Sequence, residues 1–216
     1  MYRERALASG LSTVAGFVDG VGFLITGGFF VSFMSGNSTR LAVSLAEGSP
    51  SAFLALGLIG SFVLGVSAGA VVGRKAPRRA PAVLGFVTLL LVIAAAISPD
   101  KAHPAAIFLL AFAMGAENTV FASNGEVRFG VTYMTGALVK LGKGLTAAVL
   151  DRNFTAWVSP FILWFGLISG AALGAVAFDR LGAQALWIAA GLMGFLTLMA
   201  SAAIPEETRT QAQVSD

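Results

Sequence analysis

Cysteine is absent from the 216-residue sequence and histidine occurs once. The first absence excludes a disulfide framework, a cysteine nucleophile and a zinc–thiolate site, and the second leaves no histidine-rich metal cage. Charge is scarce as well: 12% of residues are Asp, Glu, Lys or Arg, against roughly one quarter in an average soluble domain. P-loop, dinucleotide fingerprint, nucleophile elbow and metal-ligand spacing are all missing, so the sequence leads us to expect neither an enzyme nor a cofactor or metal. What is abundant is apolar: 56% of residues are hydrophobic and the mean hydropathy is +0.83. The 26 glycines lie inside the apolar runs rather than in a low-complexity block. This is the composition of an all-α, polytopic integral membrane protein, whose first partner is the lipid bilayer.

The net charge of +3 does not make it a nucleic-acid binder, because the dense basic cluster, Arg74, Lys75, Arg78 and Arg79, sits between two apolar stretches. That placement reads as a cytoplasmic topology anchor. Six stretches approach the roughly 20 apolar residues that a membrane-crossing helix needs: 7–28, 53–73, 81–97, 104–122, 157–178 and 183–204. The first is not a cleaved signal peptide, since it carries Asp19 in its middle and no small-x-small site follows. Two further segments, 29–47 and 131–150, are amphipathic. Either lies in the interface, dips back into the membrane or lines the bundle interior. With six spans and both termini cytoplasmic, 11 of the 14 basic residues fall inside and Arg40, Lys101 and Arg180 fall outside. Eight spans give no such asymmetry, and the orientation rule favours six.

The two halves, 1–98 and 99–216, resemble each other. Val31-Ser32-Phe33-Met34-Ser35-Gly36 matches Val131-Thr132-Tyr133-Met134-Thr135-Gly136, and Arg40-Leu41 matches Lys140-Leu141. Gly16 and Asp19 match Gly115 and Asn118, while Gly65, Gly69 and Gly73 match Gly166, Gly170 and Gly174. Three crossings per half make two inverted three-helix repeats, an arrangement that places transporter sites at the repeat interface near the midplane. Gly27-Gly28 after the first span and Asn124-Gly125 after the fourth mark matching broken or re-entrant segments. Unwound backbone is tolerated there only when protein or a water-filled cavity surrounds it. The glycine ladders read first as helix packing, within the bundle or between the subunits of a homodimer.

Two stretches of the first half resemble the signature of the YoaK-like family of bacterial inner-membrane proteins, a domain of unknown function: Ala15-Gly16-Phe17-Val18-Asp19, and Gly27 to Asn37. The second signature resembles Met114-Gly115-Ala116-Glu117-Asn118 followed by Val131 to Gly136. The resemblance implies a six-span inner-membrane protein with no established activity. It also implies that glutamine is usual where Glu117 stands, and alanine where Gly20 and Thr119 stand.

Asp19 is the strongest single signal, because an acid in mid-membrane costs about 2.5–3.5 kcal/mol on insertion scales. It shares a helix face with Ser12, Ala15, Gly16, Gly20 and Gly22, which turns it inward. Two roles fit it: an ion, proton or solute site, or a structural acceptor fastening the broken backbone. Asn118 is its repeat partner. Glu117 is either a second acid of the site or, the preferred reading, an interfacial acid that reaches headgroups or pairs with Arg128 or Lys140. Ser35, Asn37 and Thr135 follow the breaks, where hydroxyl and amide groups serve ions and small polar solutes or cap helix ends. The substrate- or ion-binding set is therefore Asp19, Ser35, Asn37, Glu117, Asn118 and Thr135.

The function that fits is a small secondary transporter or channel-like permease for a small polar solute or ion. The alternative is a structural or regulatory membrane protein that binds a partner through its glycine-rich faces. A polar cavity lined by Asp19, Asn37 and Asn118 would favour the first, and a dry, packed centre the second.

Overall fold

The structure is a computed structural model that describes residues 2–123, 126–127 and 134–203. Among these, eight α-helices follow one another: α1 (Tyr2–Thr26), α2 (Met34–Ala46), α3 (Ser51–Lys75), α4 (Arg79–Ala96), α5 (Pro104–Glu117), α6 (Met134–Leu150), α7 (Val158–Leu181) and α8 (Ala185–Ala203). A two-residue antiparallel ribbon, β1 (Ala122–Ser123) with β2 (Glu126–Val127), lies between α5 and α6. Each of the six apolar stretches of the sequence contains a helix. Four helical stretches are long and apolar enough to cross a membrane: Ala6–Thr26, Ser51–Lys75, Arg79–Ala96 and the 45-residue Val158–Ala202. The last is divided into α7 and α8 where Gly182 takes φ +59°.

The fourth stretch is shorter than its sequence implies. It begins as expected, with Pro104 in the first turn and the His103 side chain accepting from the Ala105 N–H at 3.2 Å. It ends at Glu117 rather than Ala122. Fourteen residues span about 21 Å at 1.5 Å per residue, less than the roughly 30 Å of a hydrocarbon core. The two amphipathic segments form α2 and α6, each shorter than a full crossing. Their buried positions are small or polar, Asn37 and Ser44 in α2 and Ala137 and Gly144 in α6. Many of their apolar side chains, including Leu45, Val149 and Leu150, are exposed, while Leu41 and Leu141 are half-buried.

The centre is built from α1, α4 and α5 with one face of α8: Leu11, Val18, Leu84, Leu91, Leu110, Met114, Leu186 and Met193 are fully buried. On α3 and α7 large apolar side chains such as Phe53, Leu64, Phe165 and Leu173 are exposed. A contiguous apolar exterior of this kind suits acyl chains, not water.

Helix pairings follow the repeat. Helix α1 packs along α7, α3 along α5 and α4 along α8, with α2 on α3, α6 on α7, α4 on α5 and α1 on α8. Exchanging α1 with α5, α2 with α6, α3 with α7 and α4 with α8 carries each of these pairings onto another of the set, or onto itself. Glycine makes the two longest contacts possible. A Cβ on Gly16 or Gly20 would strike the backbone of Leu167 or Ala171, and one on Gly170 or Gly174 that of Thr13 or Phe17. In the other pair, Gly65 meets the Phe112 backbone and Gly115 that of Phe62. The ladders are thus used inside the bundle, where small residues let helix backbones touch.

Candidate functional site

Helix α1 stops where two glycines adopt left-handed backbone, Gly27 at φ +68° and Gly28 at φ +117°. The break read from the sequence in the first half is therefore present. Its counterpart at Asn124-Gly125 lies outside the described residues, as do Arg128 and Val131-Thr132-Tyr133.

Between α1 and α2 the chain runs non-helically through buried Phe29, Val31 and Ser32. Buried amides need partners, and each from Gly28 to Ser32 has one. The Gly28 N–H donates to the Phe23 carbonyl at 2.8 Å and the Phe29 N–H to Thr26 Oγ1 at 2.9 Å. The Phe30 N–H donates to Asn37 Oδ1 at 3.0 Å, while Asn37 Nδ2 donates back to the Phe30 carbonyl at 2.6 Å. Asp19 completes the set: Oδ1 accepts from the Val31 and Ser32 N–H groups, both at 2.8 Å, and Oδ2 from the Ser32 hydroxyl at 2.5 Å. The structural-acceptor role is thus real for Asp19. A carboxylate offers about four lone-pair sites; three are occupied, which leaves one for a further donor.

Two cavities adjoin this segment. The larger, about 520 Å³, is walled by Asp19, Gly20 and Phe23 of α1, Phe30, Ser32 and Phe33 of the segment, and Met134, Trp164, Leu167 and Ala171 across from them. The smaller, about 360 Å³, is walled by Asn118, Thr119, Phe62, Val66, Ser35 and Thr135, and again by Ser32, Phe33 and Met134. Asn118-Thr119 occupies in the second cavity the place of Asp19-Gly20 in the first. Ser32, Phe33 and Met134 are common to the walls of both.

The six sequence candidates separate accordingly. Asp19 lines the first cavity; Ser35, Asn118 and Thr135 line the second. Asn118 Nδ2 is also bound to the Met114 carbonyl at 2.9 Å. Asn37 reaches neither cavity and is fully buried, fastening the segment. Asp19, Asn37 and Asn118 therefore do not line one polar cavity, and the centre is not fully packed either: it holds two cavities with largely apolar walls.

Glu117 departs furthest from expectation. It is fully buried, and among the described residues neither carboxyl oxygen has a hydrogen-bond partner. Burial keeps it from headgroups and Lys140 is exposed on α6, while Arg128, the other expected partner, lies outside the described residues. Arg40 lies with its guanidinium 5.0 Å from the centre of the Phe29 ring, a cation–π contact. The phenylalanines around the break pack on one another, Phe23 on Phe30 at 5.0 Å and Phe30 edge-on to Phe33 at 5.3 Å, and all three line the larger cavity. Ser32, Phe33 and Met134 were not singled out as site residues. The signal for them was the matched hexapeptides themselves, which contain all three.

Residues 7–199 match the family described as Protein of unknown function (DUF1275). The chain belongs to that family. It is also 37% identical over 208 residues to a UPF0700 transmembrane protein of Rhizobium meliloti (strain 1021), an alignment that covers 95% of this chain and 89% of that protein. No solved structure matches. The DUF1275 match takes in the break, both cavities and Glu117, and the transmembrane relative agrees with the apolar exterior: this is a membrane protein of an uncharacterised family.

Proposed function

We propose that this DUF1275 protein is a small secondary transporter or channel-like permease, rather than a catalyst, for a small polar solute or ion. The observation that carries the reading is the pair of cavities, which the repeat maps onto each other and which share wall residues. Two such chambers, with Ser32, Phe33 and Met134 in the walls of both, are what a pathway blocked at its centre contains. The free lone-pair site on Asp19 and the aromatic walls of Phe23, Phe30, Phe33 and Trp164 favour a solute that carries a hydrogen-bond donor or positive charge. The reading takes the fold as six spans in two inverted repeats, in a bacterial inner membrane with both termini cytoplasmic. The exchange-related helix pairings and the basic-residue asymmetry support it. The YoaK-like signature over Gly27 to Asn37 supports the placement within the wider family. The alternative, a partner-binding protein using its glycine-rich faces, loses ground because the ladders are occupied inside the bundle.

The test is stopped-flow re-swelling of proteoliposomes challenged separately with glycerol, urea, glycine and choline chloride. Wild-type vesicles should re-swell faster than protein-free vesicles with at least one probe. Met134→Trp, which enlarges a side chain common to both walls, should remove the difference, and Asp19→Asn should alter it. Equal re-swelling with all four probes counts against transport.

A further inference from the structure

Glu117 belongs to neither cavity wall, and no hydrogen bond or fold contact described above uses its carboxyl group. Yet the side chain is fully enclosed by protein. A buried carboxylate without a partner costs several kcal/mol or more, and proteins avoid that state by pairing the charge or removing it.

Among the described residues no donor or cation pairs with Glu117. From α1 the titratable group is Asp19, an acid that is itself committed to Val31 and Ser32. From α4 it is Arg79, whose Nε–H is committed to the Thr119 carbonyl at 3.0 Å. The charged groups of α3, Arg74 and Lys75, lie exposed in its last turn. The two acids are therefore held differently: Asp19 by three donors that suit an ionised carboxylate, Glu117 by none.

We propose that Glu117 is a proton-binding site, carrying a proton in the conformation seen here and exchanging it as Asp19 changes its bonds. Protonation forms one O–H bond on a Glu117 oxygen, release to water breaks the same bond, and no other reactant is needed. Asp19 is the link to the pathway, since one of its carboxyl oxygens holds Ser32, which lines both cavities, and the carboxylate lines the larger cavity. A solute donor that displaces the Ser32 hydroxyl from Asp19 changes the charge balance at Glu117. The coupling to a solute rests on the transport reading above; the proton site does not.

Infrared spectroscopy of the purified full-length chain in dodecyl maltoside, a detergent without carbonyl groups, tests it. At neutral pH the wild type should show the C=O stretch of a neutral carboxylic acid. The band should be missing in Glu117→Gln, retained though shifted in Asp19→Asn, and displaced when the protein is grown with carboxyl-13C glutamate. The isotope measurement needs no variant, so a Glu117→Gln protein that fails to fold leaves the test intact. Absence of the band, its persistence in a folded Glu117→Gln protein, or its indifference to labelled glutamate overturns the proposal. None of these outcomes depends on finding a transported solute, so failure of the proton site and failure of the transport reading are separable.

Discussion

Asn118 stands in the smaller cavity where Asp19 stands in the larger one, with Thr119 and Gly20 beside them in the same order. The repeat thus keeps the position and changes the chemistry. In the first half the side chain is a pure acceptor that organises the backbone beyond the break. In the second it is an amide that donates to its own helix at the Met114 carbonyl. The first half is pinned through a carboxylate.

The pinning predicts a graded response at Asp19. Asp19→Asn keeps an Oδ1 acceptor for the Val31 and Ser32 amides, and the Ser32 hydroxyl can turn to accept from the new amide. Asp19→Ala strands both amides, at about 1–3 kcal/mol for each buried donor left unsatisfied. Thermal unfolding in detergent should therefore rank wild type above Asp19→Asn, and Asp19→Asn well above Asp19→Ala. Equal loss in the two variants would show that the bonds from 31 and 32 do not hold the segment.

Much of the scaffold was readable and much of the site was not, for a consistent reason. Apolar run length and the Gly27-Gly28 pair are local properties, so the six helices and the first break could be located from them. The end of α5 could not, because Val120, Phe121 and Ala122 carry the apolar run on after the helix has stopped. Asp19 was found by the cost of an acid in a span. Its partners lie 12 and 13 residues on, brought back by a turn whose path no spacing rule encodes. Glu117 looked interfacial because it closes an apolar run, but its burial comes from other helices packing over that end. That Asp19 and Asn118 line different cavities, with Phe33 and Met134 in the walls of both, was not legible either, because side-chain volume at an interface is not visible in a pattern of types.

Glycine substitutions should sort by what lies over them. A side chain on Gly170 collides with the Thr13 backbone and one on Gly16 with that of Leu167; backbone cannot swing aside as a side chain can. Overpacking of this kind costs about 1–3 kcal/mol or more, so Gly16→Val and Gly170→Val should lower the unfolding midpoint sharply. Gly60 and Gly191 face open space, and alanine at either should leave the midpoint unchanged or slightly higher. Comparable losses at all four positions would refute backbone contact between α1 and α7.

Glu117 should prove to be a liability for stability. Removing a buried polar group that has no partner relieves its desolvation, and an apolar residue of similar shape is neutral or stabilising at such a place. Glu117→Met should raise the unfolding midpoint, by an amount equivalent to about 1–3 kcal/mol. Natural sequences keep such groups where activity depends on them. A marked fall in the midpoint would mean that the carboxyl has a structural partner after all.

The cysteine-free sequence makes orientation testable without first removing native thiols. Single cysteines introduced at Lys101, in the loop between α4 and α5, and at Arg74, in the last turn of α3, occupy exposed positions. The 18 residues of α4, long and apolar enough to cross the membrane, separate the two sites. The excess of basic residues on one side assigns Arg74 to the cytoplasm and Lys101 to the opposite face. In intact spheroplasts a membrane-impermeant maleimide should label Lys101→Cys, and should label Arg74→Cys only after permeabilisation. The reverse pattern would turn the bundle over, moving both termini outside, and labelling of both sites in intact cells would deny that α4 crosses at all.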